Sequence, residues 1–364
     1  MNCFFIQKNL IMEEYLNSII IEEHLNGLPS NTESINISHM ELTIFPTKLL
    51  SRFKNIKKIN CSKNQFTSLP PLNDYPSLEE LNCSYNQLTS LPPLNQTLNT
   101  INCSNNQLTS LPHLNQSLNA INCSNNQLTS LPPLNQSLNT INCSYNKLTS
   151  LPPLNQSLID LNCSYNQLTS LPPLNNSLCK LICNNNQLTS LPPLNHSLNS
   201  LRCGNNQLTS LPPLPPSLNT LCCSDNQLTS LSHLLNTSLI RIKCSTNKLT
   251  SLPPLNNSLR TLYCYRNELN YIPNLNESLE TLLWSFTPIY TLLNGSQLNI
   301  QKFNRFREYY FLSKLKKKFL SWMWKSREKA IREQFHYKHL LRFMEESDVN
   351  VDLEPFLEKF TGMC

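Results

Sequence analysis

The apolar positions of this chain recur about every 20 residues between residue 35 and residue 295, a period within the range of stacked repeats. One unit, residues 138–157, reads LNTINCSYNKLTSLPPLNQS and places Leu138, Ile141, Cys143 and Leu148 at fixed intervals. Around Ile141 apolar and polar residues alternate, which indicates a short β-strand with one buried and one exposed face. A period this constant is typical of a solenoid, in which each unit buries its apolar residues against its neighbours.

A column of cysteines follows the same period. Eleven of the 15 Cys follow one another at this period, although two of the steps are slightly longer. An Asn stands three residues after each of these eleven Cys. The same slot holds Ile37 upstream and Trp284 downstream, so it is an apolar core position. The column consists of Cys61, Cys83, Cys103, Cys123, Cys143, Cys163, Cys183, Cys203, Cys223, Cys244 and Cys264.

These cysteines are predicted to be buried, reduced and structural, because a buried Cys behaves as a small hydrophobe with an inert thiol. Stacked side chains on parallel strands lie about 4.8 Å apart, which is wider than the Cβ spacing of a relaxed disulfide. A linear column cannot bring three or four thiolates to one point, so no metal site is predicted. Reduced thiols in this number indicate a reducing compartment, and we expect a cytoplasmic location.

The Asn that follows each Cys is predicted to hold the turns together. Its carboxamide has two N–H donors and a carbonyl acceptor, so it can satisfy backbone groups of its own unit and of a neighbouring one. An unpaired buried amide would cost roughly 1–3 kcal/mol. We therefore interpret these Asn as structural.

Units of this form match the pattern L-x-x-L-x-L-x-x-N-x-L, with Cys in the third Leu slot. The chain thus resembles the leucine-rich-repeat family over residues 35–295, and residues 211–231 (LPPLPPSLNTLCCSDNQLTSL) resemble the 20-residue class found in effectors of pathogenic bacteria. The resemblance implies a leucine-rich-repeat solenoid, of the α/β class by convention, with a parallel concave β-sheet. Two Pro per short unit predict an extended or polyproline-like convex side without a full helix.

The third, fifth, seventh and eighth positions of each unit are expected to face out of the concave sheet. Between residues 81 and 175 the only Lys, Arg, Asp or Glu are Lys147 and Asp160, so the middle of this face is neutral. The last units carry basic and aromatic residues, which are enriched at interface hot spots. The candidate partner-binding residues are Lys180, Arg202, Arg241, Lys243, Tyr263, Tyr265 and Arg266.

Two other interpretations of these residues stay open. Repeats often lose regularity towards an end of the array, and the side chains would then vary without a function. A nucleic-acid groove is the second alternative, although the neutral middle of the face argues against a continuous phosphate track.

Residues 1–34 are predicted to form an N-terminal cap. They carry five Glu and one Lys, and apolar residues at helical spacing predict an amphipathic helix over about 11–26 that Gly27 and Pro29 end. Such a helix would cover the open edge of the first unit. A short adaptor segment of the F-box type is the alternative.

Residues 296–364 form a third predicted region. From 296 to 344 there are 13 Lys and Arg against three Glu, whereas residues 345–364 hold six acids against one Lys. Large apolar residues at 3/4 spacing predict a basic amphipathic helix over about 302–325. It can cap the last repeat, lie on an anionic membrane or contact nucleic acid. Its candidate residues are Lys314, Lys316, Lys317, Lys318, Trp322 and Trp324.

This region also carries a second resemblance. The segments WMWK at 322–325 and IREQFHY at 331–337 resemble C-terminal segments of proteins from giant DNA viruses of amoebae. The high Asn content, 52 residues, fits that source. The resemblance implies expression in host cytoplasm or packaging in a virion.

The composition limits the classes of function that the chain can have. With 39% hydrophobic residues the chain can bury a core, yet it has no run of about 18 apolar residues that would span a membrane, and its N-terminus is a poor secretory signal. Four Gly and seven scattered His offer no phosphate-binding loop, metal spacing or nucleophile–base pair. We therefore expect no catalysis and no cofactor.

The sequence favours a cytoplasmic interaction module that binds a protein through the concave face of the array, in a viral or host-directed role. The alternative is a structural or anchoring protein whose basic C-terminal helix binds an anionic membrane or nucleic acid.

Deleting residues 296–364 separates these roles of the tail. If the basic helix is mainly a cap, the truncated protein should melt at a lower temperature and aggregate, because the core edge at Trp284 is left open. If it is mainly an anchor, thermal stability should be unchanged, and salt-sensitive binding to anionic vesicles or DNA should be lost instead. We expect the first result, and an unchanged melting temperature in a monomeric truncated protein would contradict it.

Overall fold

Thirteen short parallel strands form one sheet in the computed structural model, which describes residues 20–287 except 232–237, 271, 274, 277 and 286. Each strand pairs with the next one along the chain, so the predicted leucine-rich-repeat solenoid is confirmed. The strands are β1 Ser34–Asn36, β2 Lys58–Asn60, β3 Glu80–Asn82, β4 Thr100–Asn102, β5 Ala120–Asn122, β6 Thr140–Asn142, β7 Asp160–Asn162, β8 Lys180–Ile182, β9 Ser200–Arg202, β10 Thr220–Cys222, β11 Arg241–Lys243, β12 Thr261–Tyr263 and β13 Thr281–Leu283.

The register of the sheet stacks equivalent residues directly on one another. In the pairing of β6 with β7, for example, Ile141 lies beside Leu161 and Asn142 beside Asn162. The middle residue of each strand points into the core, where Ile141 and Leu161 are almost completely buried. Burying one such side chain stabilises the fold by about 1.5–3 kcal/mol. Because each unit supplies only one layer of this core, stability depends on the contacts between units.

The cysteine column lies inside this core, as predicted. All eleven members are free thiols with no exposed surface. Burial raises the pKa of the thiols of Cys61, Cys143 and Cys244 to about 12. The thiol of Cys143 also donates to the carbonyl of Asn162 on the next strand, at 3.4 Å. These thiols are therefore neutral packing groups.

The Asn after each Cys ties neighbouring turns together, which confirms the second prediction about the repeat. The Nδ2 group of Asn146 donates to the carbonyl oxygens of Cys123 and Cys143, both at 3.1 Å, and of Ser144 at 3.2 Å. Its Oδ1 accepts the backbone N–H of Leu128 at 3.0 Å. One carboxamide thus satisfies backbone groups of two consecutive units.

A second Asn column stabilises the convex side and was not predicted. Asn135 is buried, and its Nδ2 group donates to the carbonyl oxygens of Asn115 in the preceding unit and of Leu118, the latter at 2.9 Å. The equivalent buried residues are Asn95, Asn115, Asn135, Asn155, Asn175 and Asn195.

The end of the predicted N-terminal helix is confirmed. Helix α1 occupies 20–26 of the described residues, and the Gly27 N–H donates to the Glu23 carbonyl at 3.1 Å where the helix ends. Ile21 and Leu25 are buried, and His24 Nε2 lies 3.0 Å from the carbonyl oxygen of Asn36 in β1. The predicted residues 11–19 of this helix, and the whole basic region 296–364, lie outside the described residues.

The length of a unit decides whether its convex side contains a helix. The longest unit, between Ile37 and Cys61, includes helix α2, Thr47–Leu50, and the next unit, which ends at Cys83, includes a single 3-10 turn, Leu72–Asp74. The described residues of the 20-residue units contain no helix. A helical turn uses about 3.6 residues for an advance of only about 5.4 Å. The short units therefore cross the convex side in an extended form, as expected.

The first prediction from the fold concerns Asn146. Asn146→Ala should lower the free energy of unfolding by roughly 1–3 kcal/mol, because the Leu128 N–H loses its acceptor and three backbone carbonyls each lose one of their donors. Asn176→Ala is the matched control, since this exposed side chain makes no hydrogen bond within the described residues and should change stability by less than about 0.5 kcal/mol. Equal losses in chemical denaturation would contradict the assignment of the Asn column.

The second prediction concerns the thiols. Alkylation of the native protein at pH 8 should modify Cys179 and Cys222, the two partly exposed thiols among the 13 that the structure describes. The eleven column thiols should react only after denaturation, because their complete burial excludes the reagent and also keeps them protonated. Peptide mapping by mass spectrometry reads out each site, and rapid native alkylation of the column would show that the core assignment is wrong.

Candidate binding face on the concave sheet

The concave face is formed by the outward-facing first and third residues of the strands. The third residue of the first seven strands is Asn, and we call this column the asparagine row. After β7 the column changes character and carries apolar, basic and aromatic residues. The asparagine row consists of Asn36, Asn60, Asn82, Asn102, Asn122, Asn142 and Asn162. The later positions are Ile182, Arg202, Cys222, Lys243, Tyr263 and Leu283.

Three of the predicted partner-binding residues form one cluster, which we call the basic patch: Arg202, Arg241 and Lys243. The register places Cys222 of β10 between Arg202 of β9 and Lys243 of β11, and Arg241 lies at the start of the same strand as Lys243. No ion pair to a carboxylate is formed by these three cations within the described part of the chain. The patch therefore presents net positive charge to the concave face.

Two neighbours modify the basic patch. Lys243 Nζ lies 4.7 Å from the ring centroid of Tyr263 on β12, a cation–π contact that orients the ammonium group. Burial raises the pKa of the Cys222 thiol, while the nearby cations of Arg202, Lys243 and Arg241 act in the opposite direction. The centre of the patch is thus a neutral thiol surrounded by cations.

The remaining predicted residues are placed differently. Lys180 lies on the same face, but its Nζ is 2.8 Å from Oδ2 of Asp160 on the adjacent strand, so its charge is compensated. Tyr265 and Arg266 follow β12 in the turn, where Tyr265 is half-buried and Arg266 is exposed. The six candidates of the basic C-terminal helix, Lys314 to Trp324, lie outside the described residues.

One expectation about the faces is wrong. The seventh position of the repeat was expected to face outwards, yet Ser144 is buried. Its backbone N–H and hydroxyl donate to Oδ1 of Asn142, at 3.2 and 2.7 Å. Alternation of faces ends with the strand at Asn142, and the chain then turns so that the small Ser can fold under the asparagine row.

A pair of tyrosines at the eighth position was missed. Tyr145 and Tyr165 have φ angles of 55° and 54°, in the left-handed region, and their rings stack with centroids 4.0 Å apart and planes 10° apart. They remain 47% and 43% exposed. The equivalent residues of the two flanking units are Asn125 and Asn185, and Asn tolerates this conformation. The replacement of Asn by Tyr was the available sequence signal.

The described residues contain no group of His, Cys, Asp and Glu that could hold a metal ion. Within the same part of the chain, every helix is too short or too polar to cross a bilayer. The side chains of the concave face offer hydrogen bonding, charge and aromatic contact.

Comparison with known proteins identifies the family. The family model for leucine-rich repeats (two copies) matches residues 54–96. YopM from Yersinia enterocolitica aligns with 34% identity and a TM-score of 0.66 over 71% of this chain, which spans 56% of the length of that YopM chain. YopM from Yersinia pestis, a leucine-rich effector protein, aligns with 31% identity and a TM-score of 0.56 over 71% of this chain and 84% of that one.

A leucine-rich-repeat protein of Leptospira interrogans shares the fold, with 24% identity and a TM-score of 0.56 over 73% of this chain and 86% of that one. Comparison with curated protein sequences gives no significant match. The 13-stranded parallel solenoid, the repeat pattern and the likeness to YopM lead to one conclusion. The chain belongs to the leucine-rich-repeat family.

Proposed function

We propose that this protein is a non-catalytic binding module that holds a protein partner on its concave sheet, with the basic patch contacting an acidic segment of that partner. Leucine-rich-repeat proteins are generally protein-interaction modules and typically non-enzymatic scaffolds. The observation that carries the proposal is the cluster of Arg202, Arg241 and Lys243 on neighbouring strands, without a carboxylate partner among the described residues.

The chemistry of the patch suits carboxylates. A guanidinium group can bind a carboxylate through two parallel hydrogen bonds, so Arg202 and Arg241 offer directional contacts. Lys243 adds a charge that contacts the ring of Tyr263. Charged groups of this kind steer association and select the partner more than they add raw affinity. An acidic segment would thus be oriented along β9 to β12.

The neutral part of the face argues against a nucleic acid as the partner. A bound nucleic acid needs cations along its whole path because phosphates recur continuously along the strand. From β4 to β7 the concave sheet offers Thr, Ala and Asn, with Asp160 as its one charged residue. The positive charge is confined to a few strands, which fits an acidic stretch in a protein.

The setting of the interaction is a further part of the proposal. The eleven buried free thiols support a reducing compartment such as the cytoplasm. The resemblance of the tail to proteins of giant DNA viruses supports a viral or host-directed role. The alternative role of the basic helix at 302–325 as a membrane or nucleic-acid anchor stays a prediction.

Charge reversal in the patch tests the proposal. The wild-type protein and the double variant Arg241→Glu/Lys243→Glu are used to capture partners from host-cell cytosol, with quantitative mass spectrometry. The control Lys147→Glu/Lys248→Glu has the same net charge but changes side chains outside the strands. Proteins retained by wild type and control should fall at least about tenfold with the patch variant, a loss of about 1.4 kcal/mol. Equal capture by all three proteins would contradict the proposal.

A further inference from the structure

We propose that the asparagine row and the stacked pair Tyr145–Tyr165 bind a proline-rich segment in the polyproline II conformation. This inference rests on the proposed function, because it names the chemistry of a second part of the partner on the same concave sheet. It concerns β1 to β7, whereas the basic patch lies on β9 to β11.

The amide groups of the asparagine row are held in one orientation. Oδ1 of Asn122 accepts the backbone N–H of Ser124 at 3.2 Å and its hydroxyl at 2.8 Å. A backbone N–H can only donate, so the acceptor end of the carboxamide must face the Ser and the Nδ2 group must point away from it. The same Ser contact is repeated at Asn60, Asn82, Asn142 and Asn162.

The row therefore offers donors and few acceptors. Within the described residues none of these Nδ2 groups donates to a protein acceptor, while the Oδ1 atoms are already used by the Ser. An ordinary extended peptide would bring one N–H per residue that needs an acceptor. A polyproline segment has no N–H groups and keeps all its carbonyl oxygens free. A row whose unused groups are donors matches that ligand.

The spacing of the row also favours polyproline II. This helix has about three residues per turn and a rise of about 3.1 Å, so equivalent carbonyls recur about every 9.3 Å. Two strand spacings amount to about 9.6 Å, so every second Asn could meet an equivalent carbonyl. Same-side carbonyls of a β-strand recur about every 6.7 Å, which falls out of step with the row after one or two strands.

The tyrosine pair supplies the aromatic surface that proline-rich ligands need. Tyr145 and Tyr165 follow β6 and β7 and lie three residues beyond Asn142 and Asn162. Aromatic-lined grooves bind polyproline II segments with a low entropy cost because the ligand is preformed. The left-handed φ recurs at this position from Lys63 to Arg266 and belongs to the repeat, whereas the exposed stack distinguishes Tyr145 and Tyr165. The stack is therefore interpreted as a binding surface.

The dimensions of the site fit a segment of about ten residues. Ten residues of polyproline II extend about 31 Å, and the seven strands of the asparagine row span about 29 Å between the first and the last. A shallow groove of about 380 Å³ follows the row from β1 to β4, lined by Asn36, Asn60, Asn82 and Asn102 among others. Lys58 and Glu80 also line this groove, but they form an ion pair at 2.7 Å, so the groove carries no net charge.

The test is a titration of the full-length protein with a ten-residue oligoproline, followed by NMR chemical shifts and by tyrosine fluorescence. The first variant is Tyr145→Asn/Tyr165→Asn, which restores the residue that adjacent units carry at this position and should preserve the fold. The second is Asn122→Asp/Asn142→Asp, which keeps an acceptor for each Ser but removes the donors. Each should weaken oligoproline binding by about tenfold or more.

The controls separate this inference from the proposed function. The basic-patch variant Arg241→Glu/Lys243→Glu should bind oligoproline with unchanged affinity while losing its captured partner. Absence of oligoproline binding at millimolar concentration, or binding that neither the Tyr nor the Asp variant weakens, overturns the inference. Partner capture that still depends on the basic patch would then leave the proposed function standing. Binding of cellohexaose with the same sensitivity to the variants, without oligoproline binding, would assign the site to a neutral glycan and also overturn it.

Discussion

The structure depends on one constraint: each strand residue stacks on its equivalent in the neighbouring unit, about 4.8 Å away. Only side chains that are compatible with their own copy can fill a column. Leu and neutral Cys satisfy this by packing, and Asn satisfies it because its amide is both a donor and an acceptor. Charged residues cannot fill a column in this way, because equal charges in neighbouring units would repel one another. The ion pairs that the structure describes join opposite charges of neighbouring units, as in Lys58–Glu80 and Asp160–Lys180.

In the basic patch, like charges lie close together, so this constraint is not met by the protein's own described residues. Arg202, Arg241 and Lys243 lie on strands close to one another, and no carboxylate among the described residues pairs with them. A partner of opposite charge would reduce their repulsion, which is the physical basis of the proposed function. The asparagine row is a milder case, because its donors are oriented by Ser but have no protein acceptor among the described residues. In both sites, the stacking of units positions polar or charged side chains without supplying their interaction partners.

Much of the fold could be predicted from the sequence, because a constant period leaves one way to stack the units. The cysteine core, the turn-forming column that includes Asn146 and the extended convex side all follow from it. The contacts of side chains just beyond a strand could not be predicted. Ser144 was assigned to the exposed face because alternation was extended past Asn142, where the strand ends. The stacked Tyr145 and Tyr165 were missed because a left-handed backbone cannot be recognised from Tyr itself.

Native-state hydrogen exchange tests the central claim, that columns of hydrogen bonds couple the units, most directly. The backbone N–H groups of Leu108, Leu128 and Leu148 each donate to the Asn amide of the following unit. If the units are coupled, these three amides should exchange with one common free energy of opening, equal to that of global unfolding. Separate, low opening free energies for single units would contradict the account.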